Sequence, residues 1–155
     1  MMNFYAYNTS IGKIGIGEED GYITNIYLTP ETFPRNVKVF ESDVIKEAGR
    51  QLKAYFSGDL VEFNLPLRPE GTEFMKKVWN ALCSIPYGET ASYKDIAVKV
   101  NSPKGYRAVG NANNKNPLPI VIPCHRIIGT DGKLVGYAGG MDMKEKLLNL
   151  ENKRK

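Results

Sequence analysis

The sequence predicts an α+β fold in which a small antiparallel sheet and one helix precede a mainly helical second part. Near the amino terminus, short apolar and polar alternations such as KIGIG and GYITNIYL are separated by Gly and Asn-Thr-Ser breakers, a pattern typical of strands joined by turns. Farther along, apolar residues recur at helical spacing behind capping residues. The stretch NLPLRPEGTEF between the two regions is rich in proline and glycine. We therefore expect two domains, residues 1–66 and residues 71–155.

The first two helices are predicted from their caps and their apolar stripes. Ser42 is a suitable N-cap, Gly58 supplies a stop, and the stripe between them consists of Val44, Ile45, Ala48, Leu52, Tyr55 and Phe56. Thr72 is the N-cap of the second helix, whose apolar face consists of Phe74, Met75, Val78, Trp79 and Leu82. Cys83 follows on this helix. We expect it to be a small buried hydrophobe, because nothing near it in the sequence would activate a thiol.

Two short helices in close succession are predicted next. Ser92 and Asp95 form the S-x-x-D pattern of a capping box, which begins a helix that runs through Val100. Ser102 as N-cap and Pro103 at the first helical position begin another, so the pair has helix-turn-helix spacing. The second helix carries small residues flanked by polar ones, namely Gly105, Ala108 and Ala112 beside Arg107, Asn111 and Lys115. Such a surface suits close approach to nucleic acid, and tight packing on a neighbouring helix is the alternative.

The composition is that of an ordinary globular protein, with 42% hydrophobic and 25% charged residues. No apolar run approaches the roughly 20 residues that cross a bilayer, and the amino terminus has no signal-peptide pattern. We expect an intracellular protein without a membrane partner, cytoplasmic or, in a eukaryote, nuclear. Its two cysteines are then expected to be free thiols. With one histidine, the chain has too few Cys and His ligands for a four-ligand zinc site, so no metal is expected.

The distribution of charge is more informative than its total. The net charge of +4, from 21 basic and 17 acidic residues, is compatible with a polyanionic partner. Residues 94–126, about a fifth of the chain, contain a basic cluster with Asp95 as its only acidic counterweight: Lys94, Lys99, Lys104, Arg107, Lys115 and Arg126. A solvated lysine-rich face is the alternative interpretation.

The segment NPLPIVIPCHRIIG carries the candidate chemistry. Three prolines restrict an apolar run that delivers Cys124, the histidine His125 and Arg126 in succession. A nucleophilic thiol needs a base or a positive neighbour to lower its pKa and a rigid backbone to aim it, and this run supplies both. Adjacent residues of a strand point to opposite faces, so His125 serves Cys124 only if the chain bends or a water relays the proton. Pro123 favours such a bend.

These residues resemble the active-site signature of the O6-alkylguanine-DNA alkyltransferases. Beyond IPCHRII, the segments YGETASYKDIA, RAVGNANNKNPLPIVIPCHRII and GYAGGMDMKEKLLNLE are similar in order and spacing to the helix-turn-helix, hinge, nucleophile and closing segments of that family. The likeness covers residues 70–152, and residues 1–66 share only a weak likeness to the variable first domain. It implies a ribonuclease-H-like first domain, a winged helix-turn-helix in the second, and a monomer that uses no cofactor.

The resemblance implies DNA repair by direct reversal of damage. A methyl or larger alkyl group would pass irreversibly from a flipped O6-alkylguanine in duplex DNA to Cys124, with one turnover per molecule. Whether O4-alkylthymine is also a substrate stays open. By position, His125 would be the water-linked base, Glu151 the carboxylate that orients it, and Asn116 a hinge. From the residues alone, Glu151 would be placed on a solvated helix face.

The remaining site residues also follow from the resemblance. Arg107 would fill the space of the extruded nucleotide, and Tyr93 would press on the target phosphate or protonate the departing base. The implied pocket is lined by Tyr137, Ala138 and Gly139, and Ala138 departs from relatives with a serine there, so the leaving oxygen would rely on main-chain N–H groups. The implied DNA contacts are Arg107, Lys94, Lys104, Ala108, Asn111, Lys115 and Arg126.

Two other functions remain alternatives. A cysteine hydrolase could use Cys124, His125 and a carboxylate and would turn over repeatedly, although consecutive Cys and His are unlike papain-type spacing. A non-enzymatic sensor of alkylated DNA is the second alternative. The presence of Cys124 argues against it.

Overall fold

The computed structural model describes residues 1–129, 132, 137 and 139–154. The chain divides into two compact units, residues 1–70 and residues 71–155. None of the helices in the described part of the chain is long and apolar enough to cross a membrane.

The first unit is built on a four-stranded sheet. Its strands are β1 (Asn3–Thr9), β2 (Gly12–Glu19), β3 (Tyr22–Tyr27) and β4 (Lys38–Val39), in the order β3-β2-β1-β4. The first three form the antiparallel meander that the alternating pattern predicts. The short β4 pairs in parallel with β1, because the intervening segment returns the chain to the start of that strand. The sheet is therefore mixed rather than wholly antiparallel.

Helix α1 (Asp43–Phe56) covers this sheet. The Ser42 hydroxyl accepts a hydrogen bond from the Ile45 N–H at 3.4 Å, and Gly58 beyond the helix has a φ of 82°, so the predicted cap and stop are confirmed. The buried apolar residues of the unit include Ile14, Ile16, Ile23, Ile45, Ala48, Leu52 and Tyr55. Their burial stabilises the sheet-and-helix arrangement through the hydrophobic effect.

The second unit is mainly helical. Its elements are α2 (Glu73–Leu82), β5 (Ala91–Ser92), α3 (Tyr93–Lys99), α4 (Tyr106–Asn114), β6 (Ile127–Ile128) and α5 (Met141–Arg154). The indole N–H of Trp79 in α2 donates to the Ala112 carbonyl of α4 at 2.9 Å, so a buried aromatic joins the two helices with its polar group satisfied. The predicted caps of α2 and α3 are confirmed, including the capping box of Ser92 and Asp95.

The start of α4 differs from the prediction. The helix begins at Tyr106, with Gly105 as N-cap, and not at Pro103. Ser102 to Gly105 form a turn in which the Gly105 N–H donates to the Ser102 carbonyl at 2.7 Å, so this local bond takes the place of a first helical turn. The predicted small-residue stripe is also divided. Ala108 is exposed, whereas Ala112 is buried against Trp79.

Cys83 is exposed, so the expectation of a buried hydrophobe was wrong. Helix α2 ends at Leu82, and Cys83 occupies the C-cap. Helical spacing from Trp79 would have continued the buried stripe, but the stripe stops where the helix does.

Candidate active site

Cys124 lies in a tight turn of the second unit. Pro123 precedes a single 3-10 turn, Cys124–Arg126, which leads into β6. The Arg126 N–H donates to the Pro123 carbonyl at 3.0 Å. The chain therefore bends at Pro123, as the sequence suggested, and Cys124 and His125 do not alternate across a flat strand. Both residues are buried, with 3% and 0% of their surfaces exposed.

The loop before the nucleophile is held by Asn116. The Asn116 side-chain amide donates to the Ile122 carbonyl at 2.8 Å, and its oxygen accepts from the Leu118 N–H at 2.9 Å. Within this loop Ile120 has a φ of 77°, a left-handed conformation that is strained for a β-branched residue. Burial raises the pKa of the Cys124 thiol, and the Asn116 side chain and the Ile120 backbone act to lower it. The residue with the strained conformation is thus one of those that favour the thiolate.

Glu151 of α5 brings the site together. Its carboxylate lies 2.7 Å from His125 Nε2, and it accepts from Arg126 Nε at 2.9 Å, from Arg126 Nη2 at 3.0 Å and from the Gly88 N–H at 3.1 Å. Only 1% of its surface is exposed. An ionised carboxylate at this position selects the imidazole tautomer with hydrogen on Nε2, which leaves Nδ1 as the proton acceptor.

Arg126 belongs to this buried group of side chains. Besides the two bonds to Glu151, its Nη1 donates to the Ile85 carbonyl at 2.7 Å. It is 7% exposed. The expectation that Arg126 contacts DNA is therefore corrected, because its guanidinium is turned inward and occupied by protein acceptors.

The resting state of the site is a thiol beside a neutral imidazole. Burial raises the pKa of the Cys124 thiol to about 11, although hydrogen bonds and the positive charge of Lys144 act in the opposite direction. Burial also lowers the pKa of His125, outweighing the attraction of the Glu151 carboxylate. Cys124 is thus not a standing thiolate. Its proton has to leave during the reaction, and His125 is in the protonation state that accepts one.

Lys144 is a site residue that the sequence interpretation missed. It is fully buried in α5 and donates to the Ile127 carbonyl at 2.6 Å. Burial lowers its pKa to about 8, opposed by the Cys124 thiolate charge. Lysines are rarely buried, so the residue attracted no notice. One signal was present: Lys144, Leu147 and Glu151 lie on one helix face, and all three are buried.

Two of the three implied pocket residues, Tyr137 and Gly139, lie within the described part of the chain. The Tyr137 ring stands edge-on to the His125 ring, with centroids 6.5 Å apart. Tyr93 begins α3, and its pKa is raised by burial and then by the Cys124 charge. Gly139 lies in the turn before α5, whereas Ala138 lies outside the described residues.

The implied DNA-contact residues other than Arg126 lie on the surface. On α4 and its end, the exposed residues include Arg107, Ala108, Asn111 and Lys115, and Lys94 and Lys104 are exposed nearby in the sequence. Residues 107, 111 and 115 recur at four-residue intervals, so they share one helix face. Among the described residues, no three His, Cys, Asp or Glu side chains are arranged to hold a metal ion.

Comparison with known proteins gives matches across both units. Residues 2–69 match the family described as 6-O-methylguanine DNA methyltransferase, ribonuclease-like domain, and residues 73–153 match the DNA binding domain of the same description. A methylated-DNA--protein-cysteine methyltransferase of Methanosarcina barkeri is 61% identical over 122 residues, 79% of this chain and 74% of that protein. Its namesake from Methanosarcina acetivorans is 48% identical over 158 residues, 97% of this chain and 98% of that protein. The crystal structure of Mycobacterium tuberculosis OGT in complex with DNA has a TM-score of 0.91 at 40% identity, covering 98% of this chain and 94% of that one.

Proposed function

The chain belongs to the 6-O-methylguanine DNA methyltransferase family, and from this membership and the geometry around Cys124 we propose that it repairs alkylated DNA by accepting the alkyl group itself. The substrate is O6-alkylguanine in duplex DNA, and the acceptor is Cys124 Sγ. The observation that carries the proposal is the buried thiol next to a neutral imidazole whose Nε2 lies 2.7 Å from a buried carboxylate.

The transfer is a single displacement. The Cys124 proton passes to Nδ1 of His125 through a water, while Glu151 holds Nε2 and stabilises the imidazolium that forms. Sulfur bonds to the alkyl carbon as the bond from that carbon to guanine O6 breaks. The departing guanine anion takes up a proton, from Tyr93 or, where Tyr93 instead presses on the target phosphate, from water, and the base is restored. The thioether that remains has no leaving group that water could displace, so each molecule acts once.

Burial of Cys124 requires the damaged base to come to the sulfur. An O6-alkyl group inside a base stack is reached only when the nucleotide is extruded into a pocket. By position, the family resemblance assigns Tyr137, Ala138 and Gly139 to that pocket. Main-chain N–H groups hold the leaving oxygen, because Ala138 has no hydroxyl.

The exposed face of α4 docks on the DNA. Lys94, Lys104, Arg107 and Lys115 meet the phosphate backbone, and Ala108 and Asn111 allow close approach. Ala108, the exposed small residue of this face, allows close approach of the helix, which favours the minor groove and little sequence preference. Arg107 occupies the stack that the extruded nucleotide leaves.

The division of labour follows the two units. Residues 1–66 form a scaffold domain, and residues 71–155 carry both DNA binding and transfer. The protein acts as a monomer in the compartment that holds the DNA, the cytoplasm or, in a eukaryote, the nucleus. O4-alkylthymine is a further candidate substrate.

The two cysteines offer a matched pair of variants that tests the acceptor. Incubated with duplex DNA carrying methyl-labelled O6-methylguanine, Cys124→Ala should bind the lesion yet take up no label. Cys83→Ala should take up label like the unmodified protein, because Cys83 is an exposed C-cap residue. Gel-shift binding and protein-bound label measure the two properties separately. Loss of labelling in Cys83→Ala with retention in Cys124→Ala would assign the acceptor to the other thiol.

A further inference from the structure

The Arg126 guanidinium donates hydrogen bonds inside the candidate active site through Nε, Nη1 and Nη2. Its Nε and Nη2 donate to the two oxygens of Glu151 at 2.9 and 3.0 Å, and its Nη1 donates to the Ile85 carbonyl at 2.7 Å. This is a fork-on-fork contact that fixes the plane of the carboxylate. The third bond ties the same guanidinium to the loop after α2.

Glu151 Oε2 is shared between two partners. It lies 2.7 Å from His125 Nε2 and accepts from Arg126 Nη2 at 3.0 Å. All three side chains are buried. A buried carboxylate with only the histidine beside it would be stabilised by a proton on the ring, whereas a carboxylate already paired with a guanidinium gains much less from that proton.

The other charged and titratable groups around the histidine act in both directions. They include Lys144 and Glu151 of α5, Cys124 and Arg126 on the same turn, and Tyr137. Beside the guanidinium they include Tyr87, whose ring centroid lies 5.7 Å from it, and Cys83, whose pKa the guanidinium lowers. Glu151 favours the charged imidazole, and Arg126 and Lys144 oppose it. Arg126 contacts the carboxylate itself, through both of its oxygens.

We propose that Arg126 is a positioning residue for the transfer reaction: it holds Glu151 in plane and neutralises it, so that His125 stays uncharged and able to accept the Cys124 proton. The inference rests on the proposed function of Cys124. It gives Arg126 a role inside the site in place of a phosphate contact. The guanidinium fork is essential to it, since a lysine reaches one carboxylate oxygen at a time.

The test uses the only histidine of the chain, which makes its ring signals in NMR unambiguous. The pKa of His125 is measured in the unmodified protein, in Arg126→Lys and in Arg126→Gln, with Arg50→Gln as a control that removes an exposed cation paired with Glu47. We expect the pKa of His125 to rise in the order Arg, Lys, Gln, by about one unit or more for Gln, and to stay unchanged in the control.

Single-turnover reaction with free O6-benzylguanine supplies the second readout, because it needs no DNA contact. Below the new pKa of His125, where the ring is charged, Arg126→Gln should react more slowly than the unmodified protein, by about tenfold for each unit by which that pKa rises. Its rate should approach that of the unmodified protein as the pH rises through the new pKa. A purely structural loss would lower the rate equally at every pH. An unchanged pKa of His125 in a folded Arg126→Gln, or a rate deficit independent of pH, would overturn the proposal.

If Arg126→Gln fails to fold, Arg126→Lys still tests the proposal. It keeps the positive charge but loses the fork, so its His125 pKa should still exceed that of the unmodified protein, and equality would overturn the proposal. The titration also separates this inference from the proposed function. If the unmodified protein transfers no alkyl group, the function fails while the titration still decides what Arg126 does to His125.

Discussion

Lys144 couples the stability of the second unit to the state of the nucleophile. Burial lowers its pKa from 10.5 to about 8, so between these values the unfolded chain binds the proton that the folded chain has released. The free energy of unfolding therefore rises with pH in that window. Cys124 acts in the opposite direction between 9 and about 11, because burial raises its pKa. Below pH 8, the folded protein carries a buried ammonium at a cost.

Replacing Lys144 should raise the free energy of unfolding and lower the rate of alkyl transfer. We expect Lys144→Met to raise the free energy of unfolding at pH 7 by about 1–2 kcal/mol, because relief from the buried charge exceeds the lost hydrogen bond to the Ile127 carbonyl. The gain should shrink toward pH 9, where Lys144 is already neutral. The transfer rate should fall at the same time, because the thiolate loses a stabilising cation.

Denaturant unfolding at several pH values measures the first effect, with Lys146→Met, an exposed lysine on the same helix, as control. A gain that is constant from pH 7 to pH 9, or that appears equally in the control, would contradict this account of Lys144.

Single residues were predictable from the sequence where their chemistry is local. Cys124 and His125 stood out because a cysteine, a histidine and an arginine follow three prolines. Glu151 came only through the family resemblance, since it lies 26 positions beyond His125 and the fold alone brings them together. The inward hydrogen bonds of Arg126 and Lys144 could not be predicted, because both are made to backbone carbonyls that only tertiary packing supplies.

At the scale of elements, α4 carries the test of base extrusion. Arg107 is exposed on this helix, where its long side chain could enter a duplex. Arg107→Ala should slow transfer from duplex O6-methylguanine while leaving the reaction with free O6-benzylguanine nearly unchanged. The reason is that extrusion from a paired stack costs a few kcal/mol that the free base does not pay.

The comparison is made by single-turnover kinetics at one salt concentration and at saturating DNA, because the substitution also removes a phosphate-binding charge. Exposed Lys115 on the same face provides the control, since Lys115→Ala should weaken binding but keep the saturated rate. If Arg107→Ala reaches the rate of the unmodified protein at saturating DNA, Arg107 is only an electrostatic contact and does not occupy the stack.

The elements themselves were predicted best where a side chain caps a helix. Ser42, Thr72 and Ser92 all accept the expected hydrogen bond from the first helical turn. The prediction of Ser102 as the N-cap of α4 was wrong, because serine followed by proline also suits a turn. The Gly105 N–H closes that turn by donating to the Ser102 carbonyl. The parallel strand β4 could not be predicted from the sequence, because two residues are too few to show an alternation of apolar and polar side chains.

At the scale of the whole molecule, the two units match one family from end to end, over residues 2–69 and 73–153. The α+β class and the helical second part were predictable from sequence periodicity. The family assignment was predictable from the segments around Cys124. The reacting thiol is buried and therefore costly to ionise, and polar groups and a cation from separate elements offset part of that cost. Each molecule that takes an alkyl group on Cys124 is thereby inactivated.

The central claim, that Cys124 keeps the alkyl group, is tested most directly by intact mass. The protein is incubated with an excess of duplex DNA carrying one O6-methylguanine, and its mass and the repaired guanine are measured together until the reaction stops. The account predicts one added methyl group per molecule, located on Cys124 by peptide mapping, and one guanine restored per protein. Repaired guanine in excess of protein, or repair without added mass, would contradict it.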